Sequence, residues 1–231
     1  MARLLILVEG QTEENFVGNL LGPHLYTMGY LEVSSRLMGK QRARHRRGGI
    51  RPWPEIRREI INHLRQDSEI IVSTFVDFYG LPSSGPEAWP GRSEPGNLQG
   101  SAKGAHVQQS MLVDLVNEMA LGFNPGRFLP YVVMHEFEAM LFSDCEAFAR
   151  TIDRPDLAAS FQKVRDQVDT PEDINDSPTT APSKRIEAML PGYQKPLIGS
   201  AVAAEIGLPT IRAECPHFAE WLSRLERAVI Q

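Results

Sequence analysis

Residues 3–17 read RLLILVEGQTEENFV, and the fold turns on how they are parsed. Residues 3–8 are rich in Leu, Ile and Val, with none of the polar alternation of a half-exposed strand. That is the pattern of a strand covered on both faces in a parallel sheet. Glu9-Gly10 closes the run. Thr12 then stands at a helix N-cap position, with Glu13 and Glu14 in the first turn, where the positive end of the helix dipole favours acids. Phe16, Val17, Leu20 and Leu21 recur at helical spacing, and Pro23 is expected to end or bend that helix. The unit is strand, tight turn, helix. A secretion signal would begin similarly, but Glu9 interrupts the apolar run too early and no small-residue cleavage site follows, so a cytoplasmic location is expected.

Further along, Tyr30–Leu37 predicts a second strand and residues 39–49 a polar, basic loop. Trp53-Pro54 opens a helix with Ile56, Ile60, Ile61 and Leu64 on one face. Ile70–Val76 predicts a strand that stops at Asp77. Residues 80–104, GLPSSGPEAWPGRSEPGNLQGSAKG, form a long loop of the kind that is either functional or disordered, and a lid over the site is one use for it. Val107, Met111, Leu112, Leu115, Val116 and Met119 mark an amphipathic helix. Arg127–Met134 predicts a strand interrupted by Pro130, and HEFEAMLF (135–142) turns into a helix. Beyond about residue 150 strand signals cease and short helices are expected. The alternation predicts an α/β fold, a mostly parallel sheet flanked by helices, over residues 1–150, with 151–231 as a smaller helical C-terminal extension packed on it.

No stretch reaches the roughly 18 apolar residues of a membrane helix. Cys145 and Cys215 belong to no CxxC pair, which excludes a zinc ribbon and argues for two reduced thiols. The net charge is −5, yet Arg36, Lys40, Arg42, Arg44, Arg46, Arg47, Arg51, Arg57 and Arg58 cluster with only Glu55 against them. This segment has two readings. It is a phosphate-neutralising nucleic-acid surface, with Lys40, Arg42, Arg44, Arg46, Arg47 and Arg51 as contacts and with His45 and Trp53 stacking on unpaired bases. Or it is a solvated loop paired with the acidic remainder of the protein or with a partner.

In parallel α/β sheets ligands sit at the carboxyl ends of the strands. Three strands here end in acids: Glu9, Asp77, and Glu136 with Glu138 beside His135. Carboxylates brought together repel unless a cation stands between them. Mg²⁺ or Mn²⁺, which take oxygen ligands and leave room for substrate phosphate, suit that task. Glu13, Glu14 and Glu136 are equally explained as acids at helix starts. His135-Glu136 lacks the HExxH continuation of a zinc site, with Ala139 and Met140 where that pattern is broken.

LVEGQTEENFV (7–17) resembles the opening motif of TOPRIM domains. Together with VDFYGLP (76–82), MHEFEAMLFSD (134–144), INDSPTTAPSKRI (174–186) and CPHFAEWL (215–222), it is similar to the bacterial domain-of-unknown-function family 4276 over nearly the whole chain. That resemblance implies a TOPRIM-like fold related to nucleases of the overcoming-lysogenization-defect type. It implies Glu9 as a metal ligand or general acid/base and Asp77 as the first acid of an Asp-x-Asp metal motif. Tyr79 stands where the second Asp belongs, and Glu136 and Glu138 offer a replacement pair. A basic residue near the metal is also implied, and Lys184 is the candidate on chemical grounds.

The expectation is therefore an Mg²⁺- or Mn²⁺-dependent nuclease acting on nucleic acid, DNA before RNA, as an effector of a bacterial defence or repair system. Glu9 and Glu13 are its proton acceptors, Lys184 its cation, and Glu9, Asp77, Glu136 and Glu138 its metal ligands. Two readings stand against it. One is a non-catalytic TOPRIM-like module that binds an ATPase, since the chain holds no P-loop of its own. The other is nucleotidyl transfer or phosphatase-like action on small molecules by the same acids.

Overall fold

A computed structural model describes residues 2–38, 49–93, 96–174 and 180–229. Its centre is β1 (Arg3–Val8), hydrogen-bonded in parallel to β2 (Glu32–Leu37) on one side and to β3 (Ile70–Asp77) on the other. The register runs from Arg3 opposite Glu32 and Ile70 to Val8 opposite Leu37 and Phe75. Both faces of β1 are covered, as its uninterrupted apolar run requires. Leu4, Ile6 and Val8 enter one core and Leu5 and Leu7 the other. Full burial of each such side chain is worth about 1.5–3 kcal/mol.

The helix after β1 does not end at Pro23. It runs as α1 (Gln11–Phe16), a π-helical turn at Val17–Leu21, and α2 (Gly22–Thr27). Pro23 cannot donate to the turn before it, and the π-helical turn sits where the hydrogen-bond ladder has to be re-phased. β2 starts at Glu32, two residues later than the sequence suggested. α3 (Trp53–Gln66) buries Trp53, Ile56, Ile60, Ile61 and Leu64 in the second core, where Val107, Met111 and Leu115 of α4 (Ser101–Glu118) meet them.

The stretch between β3 and α4 is anchored. Trp89 is buried, its ring centroid is 5.2 Å from that of Trp53, and its Nε1 donates to the Arg51 carbonyl at 3.0 Å. Leu81 is buried too, and the Arg92 guanidinium lies 4.0 Å over the Phe78 ring while its Nε donates to the Phe78 carbonyl at 3.2 Å.

Pro130 splits the expected strand in two. β4 (Phe128–Leu129) and β5 (Val132–Val133) each pair in parallel with β3, with Val72 opposite Phe128 and Asp77 opposite Val133. In the gap, side chains replace the ladder. Thr74 Oγ1 donates to the Tyr131 carbonyl at 3.0 Å and accepts from the Tyr131 N–H at 3.1 Å. Ser73 Oγ donates to the Leu129 carbonyl at 2.5 Å and accepts from Trp221 Nε1 at 3.0 Å.

After β5 the chain turns through Phe137–Ser143, and the helix expected there is a 3-10 segment. Short helices follow: α5 (Cys145–Thr151), α6 (Ala158–Arg165), α7 (Pro182–Met189), a π-helical turn at Lys195–Gly199, α8 (Ser200–Ile206), α9 (Leu208–Glu214) and α10 (Pro216–Ala228). They cover the face of β1 that α1 covers. Trp221 stacks on Tyr131 at 4.4 Å, and Phe218 meets Phe16 edge-on at 5.9 Å. The buried Glu172 carboxylate accepts the His217 and Phe218 N–H groups at 2.8 and 2.9 Å, capping α10. Cys145 and Cys215 are buried free thiols. Among the described residues no helix is long and apolar enough to cross a membrane.

Candidate active site

The parallel register puts the carboxyl ends of β1, β3 and β5 on one edge, and the acids assemble there. Glu9 leaves β1, Asp77 ends β3, and Glu138 lies one residue into the 3-10 segment after β5. Glu13 joins from the first turn of α1, one helical turn beyond the Glu9-Gly10 link. Gly10 is the residue that lets it in, since a Cβ there would stand 3.0 Å from Glu13 Oε2. Gly80 does the same for Glu9, with 3.1 and 3.3 Å from its would-be Cβ to the two Glu9 carboxylate oxygens.

At the centre of these acids stands Lys195. Its Nζ lies 2.9 Å from Glu138 Oε2, 3.1 Å from Asp77 Oδ2 and 3.8 Å from Glu13 Oε1. Asp77 Oδ1 accepts the Phe137 N–H at 3.0 Å, which fixes the carboxylate against the 3-10 segment. Glu138 is fully buried, and its Oε1 has no hydrogen-bond partner among the described residues; the same holds for Glu9 Oε2. Glu9, Gly10, Gln11, Thr12, Glu13, Gly49, Lys195 and Pro196 line a recess of about 210 Å³ over the cluster.

Burial and crowding disfavour charge on these acids. Burial, then Asp77 and Glu13, push the Glu9 carboxyl up to about 8. Burial and Asp77 push Glu13 up to about 7, and the same two causes push Glu138 to about 7 against the pull of Lys195. Asp77 is raised by its burial, with Lys195 opposing. For Lys195 burial favours loss of charge, but Asp77, Glu138 and Glu13 outweigh it and hold the ammonium well above its ordinary value. Carboxyls poised near neutrality can accept and return protons at working pH.

Of the expected residues, Glu9, Glu13, Asp77 and Glu138 converge. Glu136 stands at the rim, half-buried, with Oε2 accepting the Ser183 N–H at the start of α7 at 2.9 Å. Lys184 does not reach the cluster. It is half exposed and pairs with Glu187 one helical turn along α7 at 2.7 Å. Lys195 takes the position assigned to it. No local pattern in GYQKPLIG marks that lysine, because its partners come from three distant stretches of chain. Tyr79, at the position of the second Asp, sets its ring 5.3 Å from that of His135, and its N–H donates to the His135 carbonyl at 3.4 Å. His135 is buried with φ +63°, a left-handed conformation that costs a non-glycine residue energy and tends to persist where function holds it.

The chemistry of the donors fits a hard divalent cation. They are carboxylate oxygens, with neither sulfur nor imidazole among them, and two of the oxygens are buried without a partner. Yet among the described residues no three acidic, histidine or cysteine side chains are placed to hold one ion together. The ammonium of Lys195 stands where they converge.

Of the basic segment, Lys40, Arg42, Arg44, His45, Arg46 and Arg47 lie outside the described residues. Both its flanks are pinned beside the cluster. The Met38 N–H donates to the Val8 carbonyl at 3.0 Å and the Gly49 N–H to the Glu9 carbonyl at 2.9 Å. Arg51 is held by Glu55 at 2.7 Å and Glu59 at 2.9 Å, and Arg36 reaches Glu59 at 3.2 Å. These residues, with Arg58, Asn62, His63 and Gln66, line a shallow recess of about 650 Å³. Trp53 cannot stack on a base, since it is buried and its Nε1 donates to Asp114 at 2.7 Å.

The chain superposes on the C-terminal region of the Burkholderia pseudomallei OLD protein with a TM-score of 0.51 at 14% sequence identity, covering 99% of each chain. The C-terminal region of the Xanthomonas campestris pv. campestris OLD protein matches with a TM-score of 0.42 at 14% identity, over 100% of this chain and 97% of that one. The first likeness shows a shared fold. A family model described as Domain of unknown function (DUF4276) matches residues 8–226. No curated protein matches the chain.

Proposed function

The chain belongs to the DUF4276 family, and on that premise we propose that it is a metal-dependent phosphodiester hydrolase acting on nucleic acid, DNA before RNA. The observation that carries the reading is the convergence of Glu9, Glu13, Asp77 and Glu138 on Lys195 at the carboxyl edge of a parallel sheet. Glu9, Asp77 and Glu138 would hold Mg²⁺ or Mn²⁺, with Glu136 at the rim. When bound, the ion supplies Lewis-acid polarisation of a phosphoryl oxygen and an acidified water. Glu13, buried and poised near neutrality, would accept the proton of the attacking water, and the leaving oxygen would take its proton from solvent. Lys195 opposes the negative charge that builds on the phosphoryl oxygens. The basic segment, whose flanks are tied to Val8 and Glu9, holds the phosphate backbone next to these groups.

Tyr79 in place of a second acid favours a second reading, a TOPRIM-like module that binds an ATPase without cutting. One experiment separates them. Supercoiled plasmid, linear duplex and single-stranded RNA are incubated with the protein and Mg²⁺ or Mn²⁺, against Glu9→Gln and Asp77→Asn. Metal-dependent cleavage lost in both variants supports the hydrolase. Equal traces in all three proteins indicate a contaminant. No cleavage in any lane, alone or with a candidate ATPase added, supports the binding module.

A further inference from the structure

We propose that the Lys195 ammonium is the resident counter-ion of the carboxylate cluster, and that a divalent ion enters only as Lys195 withdraws with the turn that carries it. This rests on the metal reading above. The acids are crowded, since Glu9 directly follows β1, Asp77 ends β3 and Glu138 lies in the 3-10 segment after β5. Lys195 supplies the charge from outside that sheet, at 2.9 Å from Glu138, 3.1 Å from Asp77 and 3.8 Å from Glu13.

Those distances also set the conflict. Mg²⁺ binds oxygens at about 2.0–2.1 Å, so it needs the carboxylates closer in than an ammonium holds them. An ammonium and a divalent ion at one point would repel as well. When ionised, the acids carry more charge than the single ammonium of Lys195 offsets. Glu138 Oε1 and Glu9 Oε2 are buried, and neither is an oxygen that Lys195 meets.

The turn is placed to move at one end and hold at the other. Pro196 and Leu197 are exposed, Leu197 to 69%. Gly199 is packed so closely that a Cβ there would stand 2.9 Å from Tyr193 Oη and 3.5 Å from Thr12 Cγ2. Lys195 can therefore leave the acids while Gly199 stays seated, and the freed ammonium is carried toward the mouth of the recess, where a phosphate would lie.

The test is Mn²⁺ binding by calorimetry and thermal stability with and without Mn²⁺, on the full chain at pH 8. The proteins are wild type, Lys195→Met, Asp77→Asn and the surface control Lys163→Met. Lys195→Met should melt lower without metal, bind Mn²⁺ at least about tenfold tighter than wild type, and show a larger Mn²⁺-induced rise in melting temperature. Lys163→Met should match wild type. Wild type binding Mn²⁺ while Lys195→Met binds it equally or more weakly would overturn the counter-ion role and leave the metal reading standing. Absence of binding in every protein, or unaltered binding in Asp77→Asn, would sink the metal reading and this inference with it. If Lys195→Met does not fold, hydrogen exchange on wild type decides. The amides of Lys195, Leu197 and Ile198 should exchange faster with Mn²⁺ present, and unchanged exchange would overturn the proposal.

Discussion

Lys195 Nζ donates to Asp77 Oδ2 at 3.1 Å across 118 residues of chain. That bond joins the helical layer to the end of β3, and it makes the charge of the site a property of two distant segments. If Lys195 opposes charge on the phosphoryl oxygens, Lys195→Met should lower cleavage about 10²–10³-fold, the scale seen when a positioned transition-state donor is removed. Lys195→Arg should retain part of that activity. Cleavage assays on plasmid at saturating Mn²⁺ measure this, and wild-type rates in Lys195→Met would exclude a role in the reaction.

Glu13 and Glu14 are neighbours with opposite fates. Glu13 is buried in the cluster, and Glu14 is not part of it. If both served only the dipole of α1, their removal would cost similar small amounts. We expect Glu13→Gln to abolish measurable cleavage and Glu14→Gln to leave it within about twofold, because only Glu13 is placed to exchange a proton in the reaction. Parallel rate measurements with circular dichroism as a fold check decide it.

Stability without metal should fall as pH rises. Glu9 is raised to about 8, and Glu13, Glu138 and Glu172 to about 7, above the roughly 4.3 of an unfolded chain. Between those limits the folded state holds protons that the unfolded state has lost. The stabilisation is thus fully present below about pH 4 and is lost through pH 7–8. The melting temperature should drop by several degrees from pH 5 to pH 8, and Mn²⁺ at pH 8 should restore the part due to the cluster. Glu172→Gln should flatten the remainder, since Glu172 caps α10 away from the metal ligands. A melting temperature that is level or rising over this range would contradict the assignment.

Thr74 fills the gap that Pro130 opens in the ladder, through its two bonds to the Tyr131 backbone. Thr74→Val keeps the shape and leaves a buried N–H and carbonyl unpaired. The expected cost is about 2–4 kcal/mol, from an unfolding titration in urea, with Thr74→Ser recovering most of it.

Gly80→Ala tests the approach of Glu9 without altering any charge. A methyl group 3.1 Å from the Glu9 carboxylate would shift it by a few tenths of an ångström. We expect cleavage to fall at least about tenfold, since misplacement on that scale is costly in positioned catalysis. The melting temperature should stay within a few degrees of wild type.

Much of this was legible in the sequence. The unbroken apolar run of residues 3–8 declares a doubly covered strand, and the rule that ligands gather at carboxyl ends singles out Glu9, Asp77, Glu136 and Glu138, of which Glu136 stands at the rim. Local signals failed where tertiary partners decide. Trp89 sits in a Gly- and Pro-rich stretch that reads as unstructured, yet its indole is buried against Trp53. Pro23 reads as an end or a bend of the helix, and the chain continues past it after a π-helical turn. Lys195 carries no pattern at all, and Lys184 was the nearer choice only because it lies in a more distinctive stretch.

The order of residues along the chain gives the placement of Lys195 one more consequence. During synthesis Glu9, Asp77 and Glu138 emerge first, and Lys195 follows them. A growing chain therefore passes through a stage in which the acids have left the ribosome and their ammonium has not. Repulsion among them then works against early closure of the sheet edge until Lys195 has followed.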